Sequence, residues 1–358
     1  MKIGIITFHC SNNYGAVLQS YGLQEYIKKM GHEAYIINYT PKYKLKLYAK
    51  SSIRYWLSRN PYKCIKRLIT EIRIRQIRID RWNAFQNFRN NHLNLYPYNK
   101  TSDYKEFDAI LLGSDQIWNT DLTGGSFDDI FWGEGIKCKT ISYAASSRKQ
   151  DYSEEEKDII KSYLHELTAV SVREETFKDY LQSFCRQDIS VVLDPSLLAG
   201  CEIYKRISKK PKQKNYLLVY EISRNKTTQE IAREIARENN LQIVELLNSP
   251  ISPESTLDQT ASPEEFIGYV ENASFVVTTS FHGLAFSFLF QRDFYVVKQN
   301  TDADHRLISF LKQVGLENRL VSSIDNIKKD NKIDYFDPSI RYNQKQKYSH
   351  DFLMKSLS

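Results

Sequence analysis

The sequence predicts an α/β protein of two domains, each a mostly parallel sheet wrapped by helices. Three observations carry this. Its 358 residues exceed the usual span of one hydrophobic core. Short β-branched runs alternate with helix-length amphipathic stretches along the whole chain. Several of those strands end directly in polar, often Gly-led turns, the signature of open α/β sheets whose ligands sit beyond the carboxyl ends of the strands.

Residues 2–8 read as a buried strand and His9 to Gly15 as a polar loop. A helix follows from about Ala16 to Met30, stopped by Gly31, and Ala34-Tyr35-Ile36-Ile37 is the next strand. The loop carries no GxGxxG fingerprint. Asn12, Asn13 and Tyr14 offer it neutral hydrogen bonds to a ligand; equally, either asparagine caps the helix. Asp108 to Leu112 is a strand that ends at Gly113-Ser114-Asp115-Gln116, and Asp115 and Gln116 are placed to grip hydroxyls. Ile141 to Ser146 repeats the pattern with small residues, Ser142 among them.

A helix over 153–164 opens with the capping box Ser153-x-x-Glu156. Ala169 to Val172 is a strand, and Arg173 stands at its end before a helix from Glu175 to Phe184. Arginine there suits a bidentate contact with carboxylate or phosphate, or a salt bridge to Glu174 or Glu175. Ile189 to Leu193 is a strand closing at Asp194-Pro195, and the polar run Lys205 to Lys214 reads as an interdomain linker.

The second half alternates more cleanly. Strands are expected at 216–220, 241–247, 274–277 and 293–297, and helices at 228–238, from the Ser262–Glu265 capping box, at 284–289 and at 307–314. The turn Thr278-Thr279-Ser280-Phe281-His282-Gly283 falls between a strand and a buried helix. A helix start offers unpaired N–H groups and the positive end of its dipole. Gly283 permits close approach to the backbone, and His282 can carry charge or move a proton near neutral pH, or merely cap its helix. His305 and Arg306, at the start of the last of these helices, are expected to face the same cleft.

Residues 42–90 stand apart. They hold 14 Lys or Arg against Glu71 and Asp80, a balance of +12, whereas the whole chain carries +7. Isoleucines 72, 74, 77 and 79 alternate with Arg73, Arg75, Arg78 and Arg81, and a helix gathers only part of that set on one face. One or two basic helices are expected, anchored by Trp56 and Trp82. They could rest on anionic lipid, attract an acidic substrate, or form a solvated face. No nucleic-acid motif accompanies the charge.

The five cysteines are scattered without a CxxC pair, which argues against a zinc site or a disulfide framework and fits a reducing compartment. The first strand leaves no room for a signal peptide, and no apolar run approaches a membrane span. A cytoplasmic protein, peripheral to a membrane at most, is expected.

The ordered set Asn12 to Gln19, Gly113 to Asn119, Ser142 to Ser146, Ser171 to Glu174, Leu193 to Ser196 and Thr278 to Gly283 resembles the polysaccharide pyruvyl transferase family. The resemblance runs from about residue 3 to 320 and leaves out the basic stretch and the tail. Similar proteins more often carry a small or amide residue where His305 stands. The resemblance implies two Rossmann-like domains facing a cleft, as in GT-B glycosyltransferases: 1–204 with the basic insert, 205–325 with the donor-site histidine, and a tail over 326–358 that packs back or is partly mobile. It implies phosphoenolpyruvate as co-substrate, a bacterial glycan sugar, free or lipid-linked, as acceptor, and a pyruvate ketal as product.

On this reading the donor side comprises Arg173, His282, Gly283, Ser280 and Arg306. Asn12, Asn13, Tyr14, Gly15, Gln116 and Ser142 line the acceptor side. His282 and Asp115 carry the chemistry, with no metal and no further cofactor. A sugar-nucleotide glycosyltransferase of the same architecture and a non-catalytic scaffold in glycan assembly are the rival expectations.

Overall fold

The computed structural model describes residues 1–46, 61–100, 103–222, 224–246, 256–301, 304–327 and 332–358; side chains at 45–46, 61–74 and 256 are outside the description. Trp56 therefore lies outside the described residues.

Seven parallel strands form the first sheet: β1 (Lys2–Ile6), β2 (Glu33–Ile37), β3 (Leu95–Tyr96), β4 (Ala109–Leu112), β5 (Lys139–Ala145), β6 (Ala169–Val172) and β7 (Ile189–Val191), in the order β3-β2-β1-β4-β5-β6-β7. The second sheet holds β8 (Tyr216–Tyr220), β9 (Gln242–Leu246), β10 (Thr256–Asp258), β11 (Phe275–Thr278), β12 (Asp293–Val297) and β13 (Leu320–Val321), in the order β10-β9-β8-β11-β12-β13. Each central strand is an apolar run buried on both faces, as parallel sheets covered by helices require.

The order fixes where a ligand can bind. The chain winds outward from β1 to β3 and then returns to β4 on the other side of β1; it does the same from β8 to β10 and back to β11. A crevice opens at each such reversal, beyond the carboxyl ends of the strands. The loops over the first crevice are Thr7–Asn13 and Gly113–Asn119; Thr279 and Ser280 lie over the second.

The helices are α1 (Tyr14–Lys29), α2 (Lys42–Lys46), α3 (Pro61–His92), α4 (Glu154–Glu166), α5 (Glu175–Gln182), α6 (Pro195–Ala199), α7 (Cys201–Lys205), α8 (Lys226–Glu238), α9 (Pro263–Asn272), α10 (Phe281–Leu289), α11 (Asp304–Val314) and α12 (Phe336–Leu357). Both capping boxes form as the sequence indicates.

One apolar core runs through both halves. The Tyr14 ring, from the first half, stacks 4.5 Å from Phe266 of α9 and 5.2 Å from Phe85 of α3, and its hydroxyl donates to the Ala261 carbonyl. The Tyr204 hydroxyl donates to the Leu18 carbonyl. The last helix returns to the first half. There the Ser349 hydroxyl oxygen accepts from Leu193 N–H, and Lys139 Nζ donates to the Leu357 carbonyl.

The basic stretch is helical over its described residues, as its sequence reading expects, but is anchored differently. Its second part is one 32-residue helix, α3. Trp82 is no anchor: it is 45% exposed, and the anchoring falls to the fully buried Phe85 and Phe88. Trp82 lies one turn before Phe85 and stays exposed, while Phe85 and Phe88 pack against Tyr14 and Tyr21 of α1.

Candidate active site

The site is built where the two crevices meet. β11 ends at Thr278, whose hydroxyl donates to the Tyr220 carbonyl and accepts from Ser280 N–H. That bond turns the chain, and α10 starts at Phe281 with Ser280 as its N-cap. His282 and Gly283 therefore lie in the first helical turn, three residues earlier than the sequence pattern indicated. A Cβ on Gly283 would stand 2.2 Å from Thr278 Oγ1. Glycine at 283 thus lets the helix close onto its own strand.

The His282 side chain crosses to the first domain. A Cβ on Gly15 would come within 2.0 Å of His282 Nδ1, so only glycine admits the ring there. His282 is 7% exposed, and its Nε2 lies 3.8 Å from Asp194 Oδ1 with no hydrogen-bond partner among the described residues. Burial pushes the imidazole below its usual range, against the pull of Asp194 and Asp115.

Arg173 stands at the end of β6, and each of its three nitrogens donates a hydrogen bond. Its Nε donates to Glu174 Oε1 at 2.8 Å, Nη1 to Asp194 Oδ2 at 2.8 Å and Nη2 to Ser146 Oγ at 3.2 Å. The guanidinium lies 5.0 Å from the centre of the Phe281 ring. The salt bridge to Glu174 that the sequence allowed is formed, joined by a second carboxylate from Asp194. Asp194 also caps α6 through Ser196 N–H and accepts from Ser114 Oγ. Burial alone would raise the Asp194 carboxyl; the Arg173 guanidinium and the Ser196 N–H, both donating to it, hold it below the usual range.

Arg306, in the first turn of α11, faces the same narrow cleft, which Arg173, Glu174, Asp194, Phe281 and Phe310 also line. Its Nε is shielded and lacks a partner among the described residues. Burial first, and the Arg173 charge second, push its pKa down to about 10. His305 does not share this direction: it is exposed, because α11 turns successive side chains about 100° apart.

Asp115 follows β4 in a left-handed conformation, φ 75°, and its carboxylate accepts from Gln116 N–H. It lies within electrostatic range of Arg173, His282, Arg306 and Lys44. The Gln116 side-chain oxygen accepts from Asn119 and Arg148, so it holds the loop together.

The remaining loop residues make contacts within the protein. Asn13 caps α1. The Asn12 side chain accepts from Arg89, and its carbonyl accepts from Arg81. Tyr14 is fully buried between the domains and does not line the cleft. Ser142 is likewise fully buried: it exchanges hydrogen bonds with Ser171 between β5 and β6, because small hydroxyl residues there let the strands close.

Sequence reasoning missed three groups. Asp194 was legible only as the close of a strand before proline and as part of a motif of the resemblance, with no role of its own. Thr279 Oγ1, next to the His282 turn, is buried without a partner among the described residues. Lys44 is 6% exposed, with its ammonium 3.5 Å from the centre of the Phe8 ring and no carboxylate within 4.0 Å among the described residues. Its signal was hidden inside a run of lysines.

Two parallel-sheet domains with polar groups converging between them define a protein of the GT-B-like class. Solved structures of that shape bear this out. A UDP-GlcNAc 2-epimerase from Methanocaldococcus jannaschii shares 13% identity, with 98% of this chain and 92% of the other covered at a TM-score of 0.50. A further UDP-N-acetylglucosamine 2-epimerase shares 12%, with 99% and 95% covered at 0.51. No curated protein sequence matches. The family model described as polysaccharide pyruvyl transferase matches residues 13–300, and the chain belongs to that family.

Proposed function

We propose that the chain transfers the pyruvyl group of phosphoenolpyruvate onto two hydroxyls of one sugar in a bacterial glycan, giving a pyruvate ketal and phosphate. The observation that carries this is the pair of shielded, unpartnered nitrogens, His282 Nε2 and Arg306 Nε, at the junction of the domains. Both are nitrogen groups suited to an oxyanion, and the first turn of α10 adds free N–H groups at Phe281, His282 and Gly283. Arg173 already holds two carboxylates, so Arg306, whose Nε lacks a partner among the described residues, is assigned to the donor, and Arg173 acts through Asp194 and the Phe281 ring.

A proton adds to the methylene carbon of the donor and leaves C2 electrophilic. One sugar hydroxyl bonds to C2, the C2–O bond to phosphate breaks, and the second hydroxyl closes the ketal. Two hydroxyl protons are released; one replaces the proton taken up by the methyl group and the other leaves with phosphate. His282 is assigned the proton delivered to phosphate. Burial keeps the imidazole neutral in the empty site, and an arriving phosphate favours its protonated form, so the acid is made when the donor binds. Asp115, on the first-domain side, is assigned to orient or deprotonate an acceptor hydroxyl.

Thermal-shift titration tests the donor. Phosphoenolpyruvate at about 100 times its Kd should stabilise the protein by about 2.7 kcal/mol. Arg306→Met and His282→Ala should each abolish the shift, with UDP, GDP and CMP inactive. A shift with a nucleotide alone would replace this reading with sugar-nucleotide glycosyl transfer.

A further inference from the structure

Helix α3 carries charge and apolar surface that the cleft does not use. Its C-terminal turns belong to the first domain. Phe85 and Phe88 are buried, and Arg81 and Arg89 reach the Asn12 loop. The stretch before them faces outward. Arg75, Arg78, Ile79 and Trp82 follow the i, i+3, i+4, i+7 spacing that shares one helical face. Both arginines are exposed, Ile79 is 42% exposed and Trp82 45%. Upstream, Ile65, Leu68 and Ile72 continue the three- and four-residue spacing in the sequence.

Two properties narrow what covers this face. Ile79 and Trp82 are neighbours on the helix, and covering their apolar surface would stabilise the protein. The +12 balance over residues 42–90 repels a second copy of the same helix and attracts an anionic surface. Tryptophan and isoleucine settle at the boundary between headgroup and acyl chain, while arginine stems reach back to phosphate. No helix among the described residues is long and apolar enough to cross a membrane, so such a helix lies along the surface.

We propose that α3 docks the protein on an anionic lipid surface, inserting Ile79 and Trp82 with Arg75 and Arg78 at the phosphates. Ile79 and Trp82 precede Phe85 and Phe88 along the helix and stay exposed where those two are buried, so lipid contact leaves the grip on the Asn12 loop in place. The proposal does not rest on pyruvyl transfer and is tested without it.

The experiment is co-sedimentation of the full chain with phosphatidylcholine vesicles, with and without roughly one third phosphatidylglycerol. Binding is expected only to the anionic vesicles and should disappear between about 0.1 M and about 0.5 M salt. Ile79→Ser with Trp82→Ser, and separately Arg75→Glu with Arg78→Glu, should each weaken it at least about tenfold. All four positions are exposed, so the melting temperature stays unchanged and serves as the folding control. Trp82 emission should shift to the blue on vesicles, a change absent from Trp82→Phe. Equal binding to neutral vesicles, no binding to anionic ones, or binding indifferent to the paired substitutions would overturn the proposal. A dimer seen by light scattering and lost in the Ile79/Trp82 variant, without vesicle binding, would assign the face to self-association instead.

Discussion

Arg173 and His282 occupy equivalent places, each at the turn from a central strand into a helix, one in each domain. Their surroundings differ. The Arg173 guanidinium donates to Glu174, Asp194 and Ser146, whereas His282 Nε2, among the described residues, has no hydrogen-bond partner and meets Asp194 at 3.8 Å. Position at a strand's carboxyl end therefore marks a residue as part of the site without saying how it serves. Arg173 is a keystone that two buried carboxylates depend on. His282 is the group to which the proposed chemistry is assigned.

This contrast can be broken first at its strongest point. Arg173→Ala leaves Glu174 and Asp194 buried without their cation and should cost about 3–5 kcal/mol in urea unfolding. His282→Ala should leave the unfolding midpoint nearly in place and lower turnover by about 100-fold or more. Equal stability losses in the two variants would erase the distinction. Next, Gly15→Ala puts a methyl group into the space of the His282 ring. It should cost about 1–3 kcal/mol and reduce activity toward that of His282→Ala. Full activity would show that the ring does not work from its position against Gly15.

The pH dependence sharpens the comparison further. Because burial lowers the folded-state pKa of His282, the unfolded chain takes up more protons as pH falls below its usual value of about 6.5. The His282 contribution is fully present above that pH and is lost as pH falls toward the folded pKa. Urea titrations at about pH 7.5 and about pH 5.5 should show a smaller stability loss in His282→Gln than in the unmodified protein. The smallest effect is expected at Lys44, whose burial lowers its own pKa. Lys44→Met should change stability by no more than about 1 kcal/mol, in either direction, because no carboxylate is left unpaired. A large loss would reveal a structural ion pair.

Much of the fold is legible in local chemistry. Ser153–Glu156 and Ser262–Glu265 announce their helices because a capping box is complete within four residues. The second-domain strands are legible from apolar runs bounded by polar residues. The start of α10 is not, since Ser280 caps it without a side-chain hydrogen bond and the turn is made by Thr278. The site is legible in outline only. Arg173, His282 and Arg306 announce themselves as charged residues at helix starts, but Asp194 joins them because β7 lies beside β6, a relation that no local pattern encodes. Ser142 and Tyr14 mislead for the opposite reason: small and aromatic residues near a loop look alike whether they meet a ligand or another strand.

The Tyr14 ring, held between Phe85 and Phe266, also bears on how the molecule comes apart. A joint made of polar contacts would let each sheet melt on its own. Here the apolar interior is continuous from one sheet to the other, and α12 ties the end of the chain back to the first. The cooperative unit of unfolding is then the whole chain, and calorimetry should record one heat-absorption peak where the two-sheet architecture alone would suggest two.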